Sequence, residues 1–373
     1  MSPPMSRCHH RSRSGGGDTN ATPRGDPGMS PPMSRCHHVP ADPVKSLCPA
    51  RGGGGDTMAT PPCRTVLVTG CSSGIGLAVA VLLARDPQRR YLVLATMRDL
   101  SRRGALEAAA GATLGDTLRI LRLDVTSDAS VAECLQQVPG GRVDVVVNNA
   151  GVGLVGPLES ASGPQVQRVF DTNVFGVLRL AQALLPQMKR RRSGHIVVVS
   201  SVMGLQGVVF NDIYSASKFA VEGLCESLAV QLLQFNVFVS LVEPGPVNTE
   251  FERKVLQEVE KSEFPGTDAE TLRYFREVYL PASRDVFDTF GQSPQEVAQA
   301  IVSVIGAPRP PFRTPTNPLY SPLLALRFAD PSGDLGVRTF QRLLFDLGPL
   351  FHLSLALLRC LTCRCCRRRV APV

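Results

Sequence analysis

Tyr214 stands four residues before Lys218 at the head of the helix-patterned run YSASKFAVEGL, residues 214–224. Residues four apart share a helix face, so the phenol and the ammonium can address one point in space. A cation beside a phenol favours the phenolate and draws its pKa below the usual ~10, which makes a useful proton donor near neutral pH. The same pair also fits a core tyrosine next to a solvated lysine. This stretch by itself does not choose.

A second stretch suits phosphate. TGCSSGIG, Thr69 to Gly76, follows an apolar run and opens a helix-patterned one. Gly70, Gly74 and Gly76 allow a tight turn and close approach of backbone to ligand, with Ser72, Ser73 and Ile75 between them. A helix opening there offers free N–H groups and its positive dipole end to a pyrophosphate. A glycine trio gains weight from lying between a strand and a helix at the start of a βαβ unit. About twenty residues on, an NAD site wants an acid for the ribose 2′-hydroxyl. Here the second apolar run ends LATMRD, presenting Arg98. An arginine in place of the acid suits the 2′-phosphate of NADP, so NADPH is the expected cofactor. Asp99 remains the competing acid.

These residues need a frame. RTVLVTG, YLVLATMR (91–98), TLRILRLDV (117–125), VDVVVNN (143–149), HIVVVSS (195–201) and VFVSLVEPG (237–245) are β-branched runs separated by helical stretches such as 165–191 and 214–235. Continuous apolar strands alternating with helices predict an α/β fold, a doubly wound parallel sheet of Rossmann type with helices on both faces. The net charge of +8 lies entirely in the tails, +3 over residues 1–62 and +5 over 359–373, while 63–358 carries 28 basic and 28 acidic residues. A nucleic-acid-binding body would carry that charge itself, so no nucleic-acid partner is expected. Of eleven cysteines, seven lie in the first fifty and last fourteen residues and four between them without regular spacing, which argues against a disulfide framework. CLTCRCC (360–366) lacks a second Cys/His pair at zinc spacing, so no metal is expected.

Three segments follow. Residues 1–62 repeat MSPPMSRCHH and GGGDT-ATP without an apolar face, and read as a disordered extension, with Met58 an alternative start. Residues 63–320 read as the catalytic domain. Residues 321–373 read as a membrane-associating segment, because LLFDLGPLFHLSLALLRCL (343–361) is apolar but broken by Asp346, Gly348 and Pro349, too interrupted for a span.

T-G-x-x-x-G-x-G, NNAG (148–151), a serine at 201, Y-x-x-x-K and PGPVNT (244–249), in that order, resemble the short-chain dehydrogenase/reductase family. The longer stretches, among them EFPGTDAETLRYF (263–275), are similar to the branch of that family acting on retinoids and on estradiol. The resemblance implies roles position by position. Tyr214 would protonate the carbonyl oxygen and Ser201 would hydrogen-bond it. Lys218 would hold the nicotinamide ribose and depress the tyrosine pKa. Asn173 would kink its helix and hold a relay water. Asp124 and Val125 would meet the adenine, and Asn149, Ala150 and Gly151 the adenine ribose. Pro244, Gly245, Val247 and Thr249 would line the nicotinamide.

The branch further implies NADPH-dependent interconversion of all-trans-retinal and all-trans-retinol, as in the visual cycle. A 17β-hydroxysteroid dehydrogenase acting on estrone and estradiol is the alternative. A non-catalytic NADP-binding sensor is the reading outside enzymes. An aromatic-rich insertion, about 250–292, is expected to close over an apolar substrate as a lid, with Met203 and Val208 after the catalytic serine also meeting it. Cys360, Cys363, Cys365 and Cys366 beside arginines fit S-acylation plus a basic patch, the two signals stable anchoring needs. Attachment to the cytoplasmic face of photoreceptor outer-segment membranes and a homodimer are the remaining expectations of the branch.

Overall fold

A computed structural model describes residues 63–362, so the repeats of 1–62 and Cys363, Cys365 and Cys366 lie outside the described residues. In chain order the elements are β1 (Arg64–Val68), α1 (Gly74–Ala84), β2 (Tyr91–Met97), α2 (Gly104–Ala110), β3 (Leu118–Arg122), α3 (Asp128–Gln136), β4 (Val145–Asn148), α4 (Gly163–Phe170), α5 (Gly176–Arg191), β5 (Gly194–Val199), α6 (Asp212–Leu232) and β6 (Val237–Glu243). Then come α7 (Glu250–Lys261), α8 (Ala269–Arg273), α9 (Leu280–Phe290), α10 (Pro294–Gly306), β7 (Arg313–Pro315), α11 (Ser321–Ala329), α12 (Asp334–Gln341) and α13 (Gly348–Leu361).

The seven strands form one parallel sheet in the order β3-β2-β1-β4-β5-β6-β7. Alternate strand residues feed two cores. Val66, Val68, Val145 and Val147 pack with α1 and α10, whereas Leu67, Val146, Ile196 and Val198 pack with α5 and α6. Burial on both faces is why the strands read as unbroken apolar runs. The chain winds one way from β1 to β3 and the other way from β4 onward. The loops after β1 and β4 therefore diverge and open a crevice at the strand C-terminal ends.

The anticipated helix over 165–191 is two helices, α4 and α5, joined by one π-helical turn, Asp171–Phe175. β7 has no counterpart in the sequence reading. It is three residues long, edge-bound and ends in proline, so neither length nor alternation announces it. The insertion after β6 forms α7 to α9 around an aromatic cluster of Phe264, Phe275 and Tyr279, joined by Phe210. The run 343–361 breaks as its sequence foretold. The helical stretch ending at Asp346 and α13 meet at a 94° bend, and among the described residues no single helix is long and apolar enough to cross a membrane.

Candidate active site

The turn after β1 is shaped by what cannot fit in it. Gly70 and Gly74 have φ of +72° and +61°, in the left-handed region that side chains rarely adopt. Gly76 is tighter still, since a Cβ there would overlap the Gly70 carbonyl oxygen and lie 2.5 Å from Asn149 Nδ2. Asn149 ties this turn to the end of β4 by donating from Nδ2 to the Thr69 carbonyl at 2.8 Å. The Thr69 hydroxyl returns the link, accepting from the N–H groups of Asn149 and Ala150 at 3.0 and 2.9 Å. Ser73 is the extended N-cap of α1, but its side chain makes no capping bond, so the first helical turn keeps open donors beside the cleft. A glycine cradle held by backbone contacts, ending in uncapped N–H groups, fits the pyrophosphate of a dinucleotide.

At the tip of β2, Arg98 is exposed and lines the cleft. Asp99 is committed elsewhere, capping the next turn with Oδ1 on the N–H and hydroxyl of Ser101 at 2.9 and 2.7 Å. Arg102, which the sequence reading passed over, lines the same wall and makes only a 3.4 Å contact with Glu250. Its signal was the basic run RDLSRR (98–103). Asp124 folds onto Thr126, accepting from its N–H and hydroxyl at 3.0 and 2.7 Å, beside Val125 and Gly151.

Ser201, Tyr214 and Lys218 meet further along the cleft. Ser201 caps a short turn, accepting from the Met203 N–H at 3.1 Å, and its side chain hydrogen-bonds Tyr214. Lys218 Nζ donates to the Val199 carbonyl at 2.9 Å and sits 5.6 Å from the centre of the Tyr214 ring. Burial pulls this lysine down to about 8, opposed by the charges of Glu222 and Cys225. The expected lowering of the tyrosine pKa by Lys218 does not appear among the protein's own groups. Burial pushes the phenol above its ordinary value, outweighing the Ser201 hydrogen bond, and the Glu252 carboxylate pushes the same way.

Asn173 lies in the π turn, where the extra residue swings its side chain into the core. Its Oδ1 accepts from the Val152 N–H at 2.9 Å. Its Nδ2 donates to the Val152 carbonyl and to Ser217 Oγ, both at 3.0 Å. Ser217 in turn donates to the Tyr214 carbonyl at 2.7 Å, so Asn173 fixes the loop after β4 against the helix that carries Tyr214 and Lys218.

Of the catalytic, cofactor and substrate residues expected from the sequence, all but Asn173 and Gly76 border one cavity of about 1410 Å³. Pro244, Gly245, Val247 and Thr249 form its floor beyond β6, and Met203 and Val208 its side. Phe251, Phe287 and Phe290 of the insertion face the cavity, whereas Phe264 and Phe275 fill the insertion's own core. Two contributors had no sequence signal. Glu252 lines the cavity near Tyr214 and Tyr279, and burial raises its carboxyl to about 7. Residues of α12 and α13, more than a hundred positions after Tyr214, also line it.

Residues 64–260 match the family model for short chain dehydrogenase. The chain belongs to that family. It is 65% identical over 309 residues to retinol dehydrogenase 8 of Bos taurus, covering 83% of this chain and 98% of that one. It is 49% identical over 286 residues to 17-beta-hydroxysteroid dehydrogenase type 1 of Homo sapiens, covering 76% and 87%. A short chain dehydrogenase/reductase from Burkholderia phymatum, solved in complex with NAD, superposes with a TM-score of 0.60 at 28% identity, over 73% of this chain and 95% of that one. The dehydrogenase is thus an oxidoreductase with a nicotinamide cofactor.

Proposed function

We propose that this dehydrogenase uses NADPH to interconvert all-trans-retinal and all-trans-retinol. One observation carries the reading: Ser201, Tyr214 and Lys218 border a cavity of about 1410 Å³ whose remaining walls are mostly apolar. Ligand sites usually span roughly 300–1,000 Å³, so this one has room for a dinucleotide and a long apolar substrate together. The 65% identity to a protein named retinol dehydrogenase supports the retinoid, and the 49% identity to a 17-beta-hydroxysteroid dehydrogenase keeps estrone as the second reading.

The bound cofactor supplies a hydride to the carbonyl carbon. Tyr214 donates its proton to the carbonyl oxygen as negative charge develops there, and Ser201 hydrogen-bonds the same oxygen. Lys218, charged below about 8, holds the nicotinamide ribose and faces the phenolate left behind. Asn173 keeps α6 in register with the loop after β4 and holds the relay water. Asp124 and Val125 border the adenine, Asn149, Ala150 and Gly151 its ribose, and Val247 and Thr249 the carboxamide. Arg98 and Arg102 receive the 2′-phosphate, a reading supported by the capping role of Asp99. The C-terminal segment holds a membrane surface through the exposed Leu350, Leu353, Leu357 and Leu361 of α13, the arginines of 359–369 and acylated cysteines.

Purified protein with NADPH should reduce all-trans-retinal faster than estrone, and Tyr214→Phe should keep cofactor binding while losing at least about a hundredfold in kcat. Preference for estrone would replace the substrate, and near-normal turnover by Tyr214→Phe would overturn the mechanism.

A further inference from the structure

Helix α13 has two unlike faces. Phe351, Leu355 and Leu358, at spacings of four and three, turn toward the cavity, with Leu355 only 3% exposed. Leu350, Leu353, Leu357 and Leu361 point away and are each more than half exposed. The inward face lies opposite α9, whose Val286 and Phe287 line the same chamber. Ser201 follows β5 and Tyr214 stands on α6, whereas α13 packs on α9 and on the turn before it.

The helix is fastened where its position matters. Asp285 of α9 accepts from two groups of α13, His352 Nδ1 at 2.5 Å and Arg359 Nη2 at 3.3 Å. Arg359 also reaches Asp288 at 3.7 Å. His352 and Arg359 are seven residues apart, two helical turns on one flank, so α9 grips α13 at two points along its axis. The turn before α13 is seated as well, with the Phe345 ring edge-on to Tyr274 of the insertion at 5.4 Å between centroids. A helix pinned in this way sets a fixed distance between its inward side chains and the reacting end.

We propose that α13 is the length gauge of the substrate chamber: Phe351, Leu355 and Leu358 form its distal wall, and the Asp285 cluster fixes where that wall stands. The reading rests on the carbonyl reduction proposed above and adds the element that selects long apolar substrates over short ones. A substrate long enough to touch α13 gains contact along this face. A short one fills only the end near Tyr214 and is indifferent to it. Added bulk on α13 therefore excludes long substrates while leaving short ones untouched.

The test measures kcat and KM with NADPH for all-trans-retinal and for a short enal such as trans-2-hexenal. The proteins are wild type, Leu358→Phe, Leu355→Phe and Asp285→Asn, with thermal melting of each. Leu358→Phe, at a half-buried position, is the variant least exposed to misfolding. It should raise KM for retinal about tenfold or more with the hexenal constants within about twofold. Asp285→Asn should raise KM for retinal alone, because α13 loses its anchor. Equal losses on both aldehydes, or no change on either in folded variants, would overturn the gauge. Failure of the retinoid reading is distinguished by wild type. If it reduces estrone but not retinal, the same comparison is made with estrone against cyclohexanone, and the same two outcomes decide it.

Discussion

Replacing Gly76 by alanine tests how the cofactor turn is built. The added methyl overlaps the Gly70 carbonyl oxygen and meets Asn149 Nδ2 at 2.5 Å. Neither can step aside cheaply. The first is backbone in a turn held at positive φ, and the second belongs to the side chain that bonds Thr69 at 2.8 Å. Overpacking of this kind costs about 1–3 kcal/mol. Displacing the Asn149 bond adds about 0.5–1.5 kcal/mol. The total, roughly 2–4 kcal/mol, corresponds to a fall in Tm of roughly 3–6 °C for a folded body of this size. Gly223 is the control: it lies on the exposed side of α6, where an added methyl would meet nothing within 4 Å, and its alanine variant should be as stable as wild type or slightly more so. Thermal unfolding by circular dichroism gives the first readout. Because the chain has no tryptophan, NADPH affinity is best read from the emission of the nicotinamide itself. A Gly76→Ala variant that melts with wild type and binds NADPH equally well would refute the argument from close approach.

Arg98→Ala should raise KM for NADPH at least about tenfold more than KM for NADH, with Arg102→Ala a smaller effect of the same sign; equal losses for both cofactors would deny them the 2′-phosphate. Burial raises the Glu252 carboxyl from 4.5 to about 7, so the folded state binds more protons than the unfolded between those values and loses stability as pH rises through them. Glu252→Gln should accordingly be about 1–3 kcal/mol more stable than wild type above pH 7, the gap closing toward pH 4.5 in urea titrations; a gap independent of pH would sink the assignment. Serine at Cys360, Cys363, Cys365 and Cys366 should shift the protein from membrane to soluble fractions of cells with detergent-solubilised activity kept, and identical fractionation of variant and wild type would remove acylation as the anchor.

The sheet was legible because both its faces are buried, which writes each central strand as an apolar run, Val145 to Asn148 being the plainest. The glycine turn and the tyrosine–lysine pair were legible for a different reason: each is local, and spacing along one turn or one helix fixes which atoms meet. Where an outcome depends on competing terms, spacing was silent. Lys218 stands one turn from Tyr214, yet burial rather than the ammonium dominates the phenol. Asp99 sits where a ribose acid could be, and only its bond to Ser101 shows it occupied as a cap. The α13 wall was illegible because tertiary folding brings it to the cavity across more than a hundred residues. No periodicity records that approach.

The place of β1 in the sheet bears on how the chain is made. β1 is hydrogen-bonded on one side by β2 and on the other by β4, and Val145 emerges 77 residues after Val68. At roughly 5–20 residues per second, a nascent chain holds that second edge open for about 4–15 s. The exposed edge is Val66 to Val68, fully buried once β4 arrives. Bare apolar edges recruit other strands. Asp144, just ahead of β4, accepts from the Thr65 N–H at 2.9 Å and is the first group to reach that edge. Translation speed across residues 69–144 therefore sets how long that edge stays bare, whatever the stability of the finished fold.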